Sequence, residues 1–174
     1  LQYAFIPEWS RPLSIRVAIG SYQQPPFYRE LRDRQGQINP NVQAQSSTHF
    51  ILGTEYNFSL WGRPFIFFSE GYYKHLYNLN LYDIENVRLR YFANNDADGY
   101  AAGIDFRVHG EFIPGTESWF SLGILKTEED ILTDDLDAFR RPSDQRINLA
   151  MNFQDHMPND PSLRIALTLF YGSG

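Results

Sequence analysis

The chain has no cysteine, and it has no excess of basic residues. Without cysteine there is neither a disulfide framework nor a thiolate metal site. The formal charge of −6 can be assigned to residues 128–137, which hold six acidic side chains and no basic one. The rest of the chain is balanced and lacks the basic stripe of nucleic-acid-binding domains. We therefore expect no nucleic-acid partner.

Long apolar runs are also missing. None approaches the roughly 18 residues that a membrane-spanning helix needs; the densest patch is Phe65-Ile66-Phe67-Phe68. Residues 1–9 have neither a basic segment nor a long apolar core, so no signal peptide is expected there. The mean hydropathy of −0.42 is that of a soluble protein, but a membrane barrel hides its hydrophobicity in alternation.

What the sequence does contain is a hydrophobic period of two residues. Over residues 100–112, apolar side chains such as Ile104, Phe106 and Val108 occupy the even positions, and most charged ones occupy the odd positions. This pattern is typical of β-strands with one apolar and one polar face. The same alternation recurs over residues 13–20, 48–58, 119–127, 147–154 and 163–171.

Two segments depart from this simple pattern. In residues 65–77, Glu70 and Lys74 share a parity with apolar neighbours, so the faces of this segment stay unassigned. Residues 26–34 begin with Pro26, which suits the first position of a helix, and a short helix is expected there.

The connections between the predicted strands alternate in length. The sequence predicts about eight antiparallel strands joined as hairpin pairs, in one domain that spans residues 1–174. Short turns containing proline lie at 6–12, 60–64, 113–117 and 157–161, and long polar loops at 23–44, 79–98 and 131–143.

This organisation favours a segment of an antiparallel transmembrane β-barrel. Such barrels have short periplasmic turns and long extracellular loops, and strands of 9–11 residues cross the hydrocarbon. Aromatic residues at a membrane interface form girdles, and here they gather beside the short turns. They are Phe5, Trp9, Tyr56, Phe58, Trp61, Phe65, Phe112, Trp119, Phe120 and Phe153.

An alternative is a small closed β-barrel, soluble or in a membrane, with a ligand-binding or structural role. Its apolar face would be the core and its polar face the outside. Periodicity alone does not distinguish the two. The orientation of Ile104, Phe106 and Val108 does, because they face outward in the first case and fill a sealed interior in the second. The chain also begins and ends in strand-like residues, which favours a slice of a larger barrel.

Four segments resemble the TonB-dependent outer-membrane receptors, and more narrowly the branch with an N-terminal carboxypeptidase-like regulatory module. The resemblance extends over essentially the whole chain. The segments are QPPFYRELRD (24–33), INPNVQAQSSTHFILGTEYNF (38–58), NNDADGYAAGIDFRVHGEFIPGTESWFSLGILKTEEDI (94–131) and RRPSDQRINLAMNFQDHMPNDPSLRIALTLFYGSG (140–174).

The resemblance implies a 22-stranded barrel in the outer membrane of a Gram-negative bacterium. About eight of its strands, from the C-terminal half, would lie in this chain; the plug, the regulatory module and the last strands would lie outside it. The implied function is active uptake of a scarce solute, of siderophore, glycan, peptide or cobalamin class. The implied partners are outer-membrane lipid, the protein's own plug and the TonB–ExbB–ExbD complex, and a surface lipoprotein is a further candidate.

Two sets of residues are candidates for contact with the solute or the plug. The first set lies on the polar strand faces and is expected to line the lumen: Arg16, Glu55, Asp105, Arg107, His109, Glu111 and Arg164. The second set lies in the long loops and is expected to contact ligand from outside: Tyr28, Arg29, Arg32, Tyr82, Arg88, Arg90, Tyr91 and Phe92.

Other patterns are interpreted as structural. Residues 94–99 together with Asp105 are spaced loosely like a calcium loop, but Asp105 falls in a strand, so an Asx-rich turn is the preferred interpretation. The acidic run 128–137 is interpreted as a solvated loop tip. The four histidines have no metal-binding spacing, and G-x-S-x-G is missing. We therefore expect no metal, no cofactor, no catalytic residue and no enzymatic activity.

Overall fold

The computed structural model describes residues 2–5, 12–141, 144–157 and 159–173. These residues form an all-β fold whose strand pairs are all antiparallel. The strands are β1 (Gln2–Phe5), β2 (Leu13–Gln24), β3 (Gln45–Leu60), β4 (Arg63–Leu79), β5 (Tyr82–Glu85), β6 (Arg88–Tyr91), β7 (Ala97–Ile113), β8 (Thr116–Ile131), β9 (Phe139–Arg140), β10 (Ile147–Met157) and β11 (Asp160–Gly172).

The main sheet follows the chain in the order β1-β2-β3-β4-β7-β8-β10-β11, and β9 pairs with β8. The prediction of about eight antiparallel strands is therefore confirmed. Strands β5 and β6 form a separate hairpin within one long connection. In the part of the chain that the structure describes, β1 and β11 each have a single neighbour, so the sheet is open. The described residues also include no helix long and apolar enough to cross a membrane.

The short turns have the residues that tight hairpins require. Trp61 and Gly62 connect β3 to β4, and both have positive φ, 56° and 72°; two such residues suit the right-handed twist of the flanking strands. Pro114 and Gly115 connect β7 to β8, and Gly115 has a φ of 76°, which suits a turn with proline followed by glycine. These turns lie at one end of the sheet and the long connections at the other. Residues 6–11 and 158 of the other two predicted turns lie outside the described residues.

The predicted helix over residues 26–34 is wrong. The backbone N–H of Glu30 donates to the carbonyl of Phe27 at 2.9 Å, which closes a single turn. The chain then folds back, and the N–H of Asn39 donates to the carbonyl of Leu31 at 2.8 Å. A nine-residue segment is too short for a stable helix by itself, and here the returning strand takes up the backbone groups that a helix would have used.

Fully buried apolar side chains are few and lie mainly at the long-loop end. Leu79, Leu81 and Ala97 form a small buried cluster, with Leu76 and Ile131 packed against it. Along the central strands most side chains on both sides of the sheet are half-buried or exposed. Neither side of the described sheet therefore buries a conventional hydrophobic core.

Candidate functional site

The cross-strand register aligns residues of all eight strands along the main sheet in one row, and we call its six members on β2, β3, β4, β7, β8 and β10 the central row. Each member lies opposite the next on the neighbouring strand, so all six share one side of the sheet. The central row consists of Arg16, Gly53, Glu70, Asp105, Gly123 and Asn148. We call this side the polar side.

The two glycines let charged side chains lie across neighbouring strands. An Nη2 atom of Arg16 lies 3.2 Å from Oε2 of Glu70, although β3 runs between their strands. Gly53 sits beneath this ion pair, and a Cβ there would lie 3.5 Å from both charged atoms. In the same way, Oδ1 of Asp105 lies 2.7 Å from the position that a Cβ of Gly123 would take.

A groove of about 790 Å³ lies along the β11 half of this row. Its polar lining comes from the charged, amide and hydroxyl side chains of Glu70, Asp105, Arg107, Ser121, Gln145 and Asn148. The lining therefore offers carboxylates, a guanidinium and amides, which can bind polar solutes or another protein surface through hydrogen bonds and charge.

Two further side-chain contacts lie on the polar side toward the short turns. The guanidinium carbon of Arg107 lies 5.0 Å from the ring centroid of Trp119, within cation–π range. Nε2 of His109 lies 3.5 Å from Oε2 of Glu117. These contacts fix the orientation of two predicted lumen residues.

All seven predicted lumen residues lie on the polar side. Asp105, Arg107, His109 and Glu111 alternate along β7, and the paired strands give the same side to Arg16, Glu55 and Arg164. They spread along the length and width of the sheet and do not converge on one point. These seven residues therefore form an extended polar surface and not a single compact site.

Two charged residues of this surface could not be placed from the sequence. Glu70 pairs with Asp105 and Lys74 pairs with Ala101, so both lie on the polar side of β4 together with Ile66 and Phe68. The even positions of β4 hold bulky apolar residues as well as these two charged ones, so the polarity pattern of the sequence does not reveal which side they occupy. The only available signal is the register against β7, which is a long-range property of the fold.

The opposite side of the sheet, the apolar side, is largely uncovered. Ile104 in the middle of β7 is 38% exposed, and Leu167 on β11 is 59% exposed. Neither Phe106 nor Val108 is buried, so these β7 side chains do not fill a sealed interior. Other exposed apolar residues on this side are Val17, Phe50, Leu52, Phe120, Ile124, Ile147, Leu163, Ile165 and Leu169.

Aromatic rings cluster on the apolar side at the short-turn end. Phe65, only 1% exposed, packs edge-on against Phe112, with centroids 5.0 Å apart. Phe58 stacks on Phe65 at 5.6 Å, and Trp61 meets Phe65 edge-on at 6.2 Å. Trp119, by contrast, contacts Arg107 on the polar side. Trp9 and the side chain of Phe5 lie outside the described residues.

The predicted loop contacts fall into two groups. In the first long loop, the guanidinium of Arg32 donates to the hydroxyl of Tyr28 and also lies 4.9 Å from its ring centroid. Arg29 is exposed nearby in sequence. This group is a local pair on one exposed turn.

The second group lies on the β5–β6 hairpin. The rings of Tyr82 and Tyr91 are 6.0 Å apart, and Arg90 forms an ion pair with Glu85 at 3.5 Å. Arg88, also exposed, is opposite Glu85. Phe92 connects the two groups, since its ring centroid lies 5.4 Å from the guanidinium carbon of Arg34 in the first loop.

Asparagine side chains that sequence reasoning missed hold these two loops together. Nδ2 of Asn39 donates to the carbonyl of Ala93 at 2.9 Å. Nδ2 of Asn80 donates to the carbonyl of Glu30 at 2.7 Å. Such amides satisfy loop backbone groups that have no strand partner. Asparagines in polar loops are common, so their sequence positions alone gave no signal.

The acidic run 128–137 is only partly a solvated tip. Glu128 accepts a hydrogen bond from the hydroxyl of Tyr100 at 2.6 Å and pairs with Lys126 at 3.0 Å. Glu129 is buried and pairs with Arg141 at 3.1 Å. Residues 132–137 are exposed, as expected. No group of three acidic or histidine side chains suited to a metal ion occurs among the described residues.

Comparisons of this chain with protein-family models, curated protein sequences and solved structures find no match.

Proposed function

We propose that this chain forms part of the barrel of a TonB-dependent outer-membrane transporter. The barrel takes up a scarce solute through a plugged lumen, driven by energy from the inner membrane. One observation carries the proposal: a single sheet has one side that is apolar and exposed over most of its width, and another that carries charges of both signs. The family resemblance of the sequence supplies the transporter class.

The apolar side supports placement in a membrane. Soluble monomers rarely expose contiguous apolar patches larger than a few hundred Å², and here exposed apolar residues extend from β2 to β11. The strands from β2 onward in the main sheet, β9 aside, have 11 to 17 residues. Strands of about 9–11 residues suffice to cross the hydrocarbon. A lipid environment removes the cost of this exposure.

The edges of the sheet support a wider barrel. Unpaired backbone groups cost several kcal/mol each in hydrocarbon, so spanning sheets must close. Within the described residues, β1 and β11 do not pair with each other. In the proposed barrel, further strands complete the wall, as in the 22-stranded barrel that the resemblance implies.

In this arrangement the polar side lines the lumen. The central row and its groove contact the plug or the passing solute, and the mixed charges keep the wall hydrated. The long-loop end faces the outside of the cell. There, the Tyr28 and Arg32 pair and the β5–β6 hairpin offer aromatic and cationic contacts to a ligand.

A cysteine scan tests the membrane placement. The chain has no cysteine, so Ile104→Cys and Asp105→Cys each introduce a single cysteine into this segment. Any cysteine elsewhere in the full-length protein is first replaced by serine. Spin labels at position 104 should be more accessible to oxygen, which is concentrated in lipid. Labels at position 105 should be more accessible to a water-soluble nickel chelate. Equal accessibility, or the reverse pattern, contradicts the placement.

Energised uptake needs a separate test. Cells that produce the full-length protein should accumulate one member of a labelled panel of ferric siderophores, cobalamin, maltodextrins and oligopeptides. That accumulation should disappear when TonB is deleted. Failure to accumulate any member, or uptake that persists without TonB, contradicts the transporter proposal.

A further inference from the structure

A second cavity, of about 550 Å³, lies at the long-loop end of the sheet. We call it the Tyr22 pocket. Even spacing from Arg16 on β2 and from Gly53 on β3 places its strand residues on the polar side, because the register between these strands is unbroken. Its walls include Tyr22, Gln24, Gln45, Ser47, Leu76 and Arg141.

The ring of Tyr22 lies over the backbone of Gly20. A Cβ at Gly20 would lie 2.8 Å from both Cε2 and the hydroxyl oxygen of Tyr22, so a side chain there would displace the ring. Gly20 is opposite His49 on β3, and the centroids of the Tyr22 and His49 rings are 4.5 Å apart. The hydroxyl of Ser47 shares a hydrogen bond with Nε2 of His49 at 2.9 Å. Tyr22 is still 57% exposed, so a ring held from below and from one edge presents its other face to the pocket.

Two amide side chains at this pocket have hydrogen-bonding capacity to spare. Gln24 is exposed, and its amide has no partner within the part of the chain that the structure describes. Oε1 of Gln45 accepts the backbone N–H of Asn80 at 3.5 Å, whereas its Nε2 has no partner among the same residues. Amides both donate and accept hydrogen bonds, as the hydroxyl groups of a sugar do.

The charges at the pocket are balanced. Of the described residues that line it, Arg141 alone is charged, and its Nε lies 3.1 Å from Oε2 of the buried Glu129. A charged solute would therefore lose water here without gaining an unpaired opposite charge, which costs free energy. The other N–H groups of the guanidinium can still donate to neutral oxygen atoms. The pocket thus favours an uncharged solute with several hydroxyl groups.

We propose that the Tyr22 pocket binds a neutral sugar residue of an oligosaccharide. This inference rests on the proposed function, which places the pocket at the outer mouth of the lumen, and it names the class of solute. One face of a pyranose ring consists of C–H groups, which pack against the negative face of an aromatic ring. The hydroxyl groups at its edge suit Gln24, Gln45 and Arg141. The volume of the pocket lies in the range of small-molecule sites.

The test measures binding to the purified full-length protein in lauryldimethylamine oxide, a detergent without a sugar headgroup. An array of neutral glucans, mannans, xylans and N-acetylglucosamine oligomers identifies an oligosaccharide that binds, and isothermal titration calorimetry gives its Kd. Tyr22→Ala should raise this Kd about tenfold, because the stacking contact is lost. Gly20→Ala should also raise it, since the added Cβ displaces the ring, whereas Tyr22→Phe keeps the aromatic face and should retain most of the affinity.

Tyr77→Ala is the matched control. Tyr77 on β4 also packs against a histidine ring, with its centroid 4.2 Å from that of His75. It lies on the apolar side and does not line the pocket, so this variant should keep the wild-type Kd. Circular dichroism establishes that each variant is folded. If Tyr22→Ala does not fold, Gln24→Ala replaces it, because an exposed side chain without an internal partner reports on the pocket alone.

The possible outcomes separate this inference from the proposed function. An oligosaccharide that binds equally well to the wild type and to Tyr22→Ala, or to Gln24→Ala where that variant replaces it, overturns the site. Binding of no oligosaccharide on the array also overturns it. TonB-dependent uptake of a siderophore, cobalamin or a peptide would then leave the proposed function intact, and no uptake would overturn both. Saccharide binding that depends on Tyr22, in a protein without TonB-dependent uptake, supports the pocket and contradicts the transporter.

Discussion

Arg16 on β2 and Glu70 on β4 form an ion pair at 3.2 Å although a third strand runs between them. The contact is made above Gly53 of β3, which has no side chain to fill the space between them. Contacts on the polar side thus reach across a whole intervening strand. The chemistry of this side depends on which residues are small as much as on which are charged.

The first prediction concerns this glycine. Gly53→Leu should separate Arg16 from Glu70, because its side chain extends beyond a Cβ that already touches both charged groups. A double-mutant cycle with Arg16→Gln and Glu70→Gln should give a coupling of about 0.2–1 kcal/mol, as for other exposed pairs. In the Gly53→Leu background this coupling should fall to zero. Gly53→Ala is the control and should retain the coupling. A coupling that persists in the Gly53→Leu background would disprove that the open space above Gly53 permits the ion pair.

The second prediction concerns a glycine against an aromatic ring. A Cβ at Gly110 would lie 2.5 Å from Cδ1 of Phe65 and 2.7 Å from the carbonyl oxygen of Pro64. Since backbone cannot move away freely, Gly110→Ala should cost about 1–3 kcal/mol of unfolding free energy. Gly71→Ala has nothing within 4 Å of its Cβ and should be neutral or slightly stabilising. Chemical denaturation of both variants measures the difference, and equal effects would contradict the packing of Phe65.

The third prediction compares the two sides of β7. Ile104→Arg should cost about 2–4 kcal/mol if this position lies near the bilayer midplane. Asp105→Asn, one residue away on the polar side, should be mild because it stays in contact with water. Folding of full-length variants into lipid vesicles gives both values. Similar penalties for the two substitutions would count against the proposed orientation.

The fourth prediction concerns strain at the tip of the β5–β6 hairpin. Val87 has a φ of 65° and is 97% exposed. This backbone conformation destabilises the fold by about 1–2 kcal/mol for L-residues other than glycine. Glycine removes this strain, but it also has more conformational entropy in the unfolded chain, so only part of the strain energy is regained as stability. Val87→Gly should therefore slow hydrogen exchange at Glu85 and Arg88, the paired residues that flank the turn. Val87→Ala, which keeps the Cβ, should not; faster exchange in the glycine variant would contradict the strain.

The fifth prediction is a pH dependence at the long-loop end. The backbone N–H of Thr127, 2.9 Å away, and the Arg146 guanidinium hold the pKa of Asp144 below its usual range. A lowered folded-state pKa stabilises the fold above the unfolded value of about 3.9, and this contribution is lost as the pH falls through the folded-state pKa. Asp144→Asn should therefore increase exchange at the Thr127 amide at pH 7, whereas variant and wild type should converge in acid. A difference that persists in acid would point to another cause.

The sequence could predict much of this fold because alternation is a local property. Each residue of β7 reports its side by its own polarity, so the strand over 100–112 and its two faces are confirmed in β7. The same holds for the short turns, since Trp61-Gly62 and Pro114-Gly115 specify their backbone conformations locally. The helix expected over 26–34 is wrong because the competing bonds come from residues 37–39, outside the segment.

By itself, the sequence determined the run of eight antiparallel strands along the main sheet, their hairpin order and the two contrasting faces of most of them. It did not predict the short strands β5, β6 and β9. Only the tertiary structure decided that Glu70 lies opposite Asp105, that Arg16 crosses Gly53, and that Asn39 and Asn80 tie two long loops together. The physical reason is distance along the chain. A strand's own polarity pattern fixes which residues share a side, but the register between strands fixes which of those residues meet, and register is set jointly by every pair in the sheet.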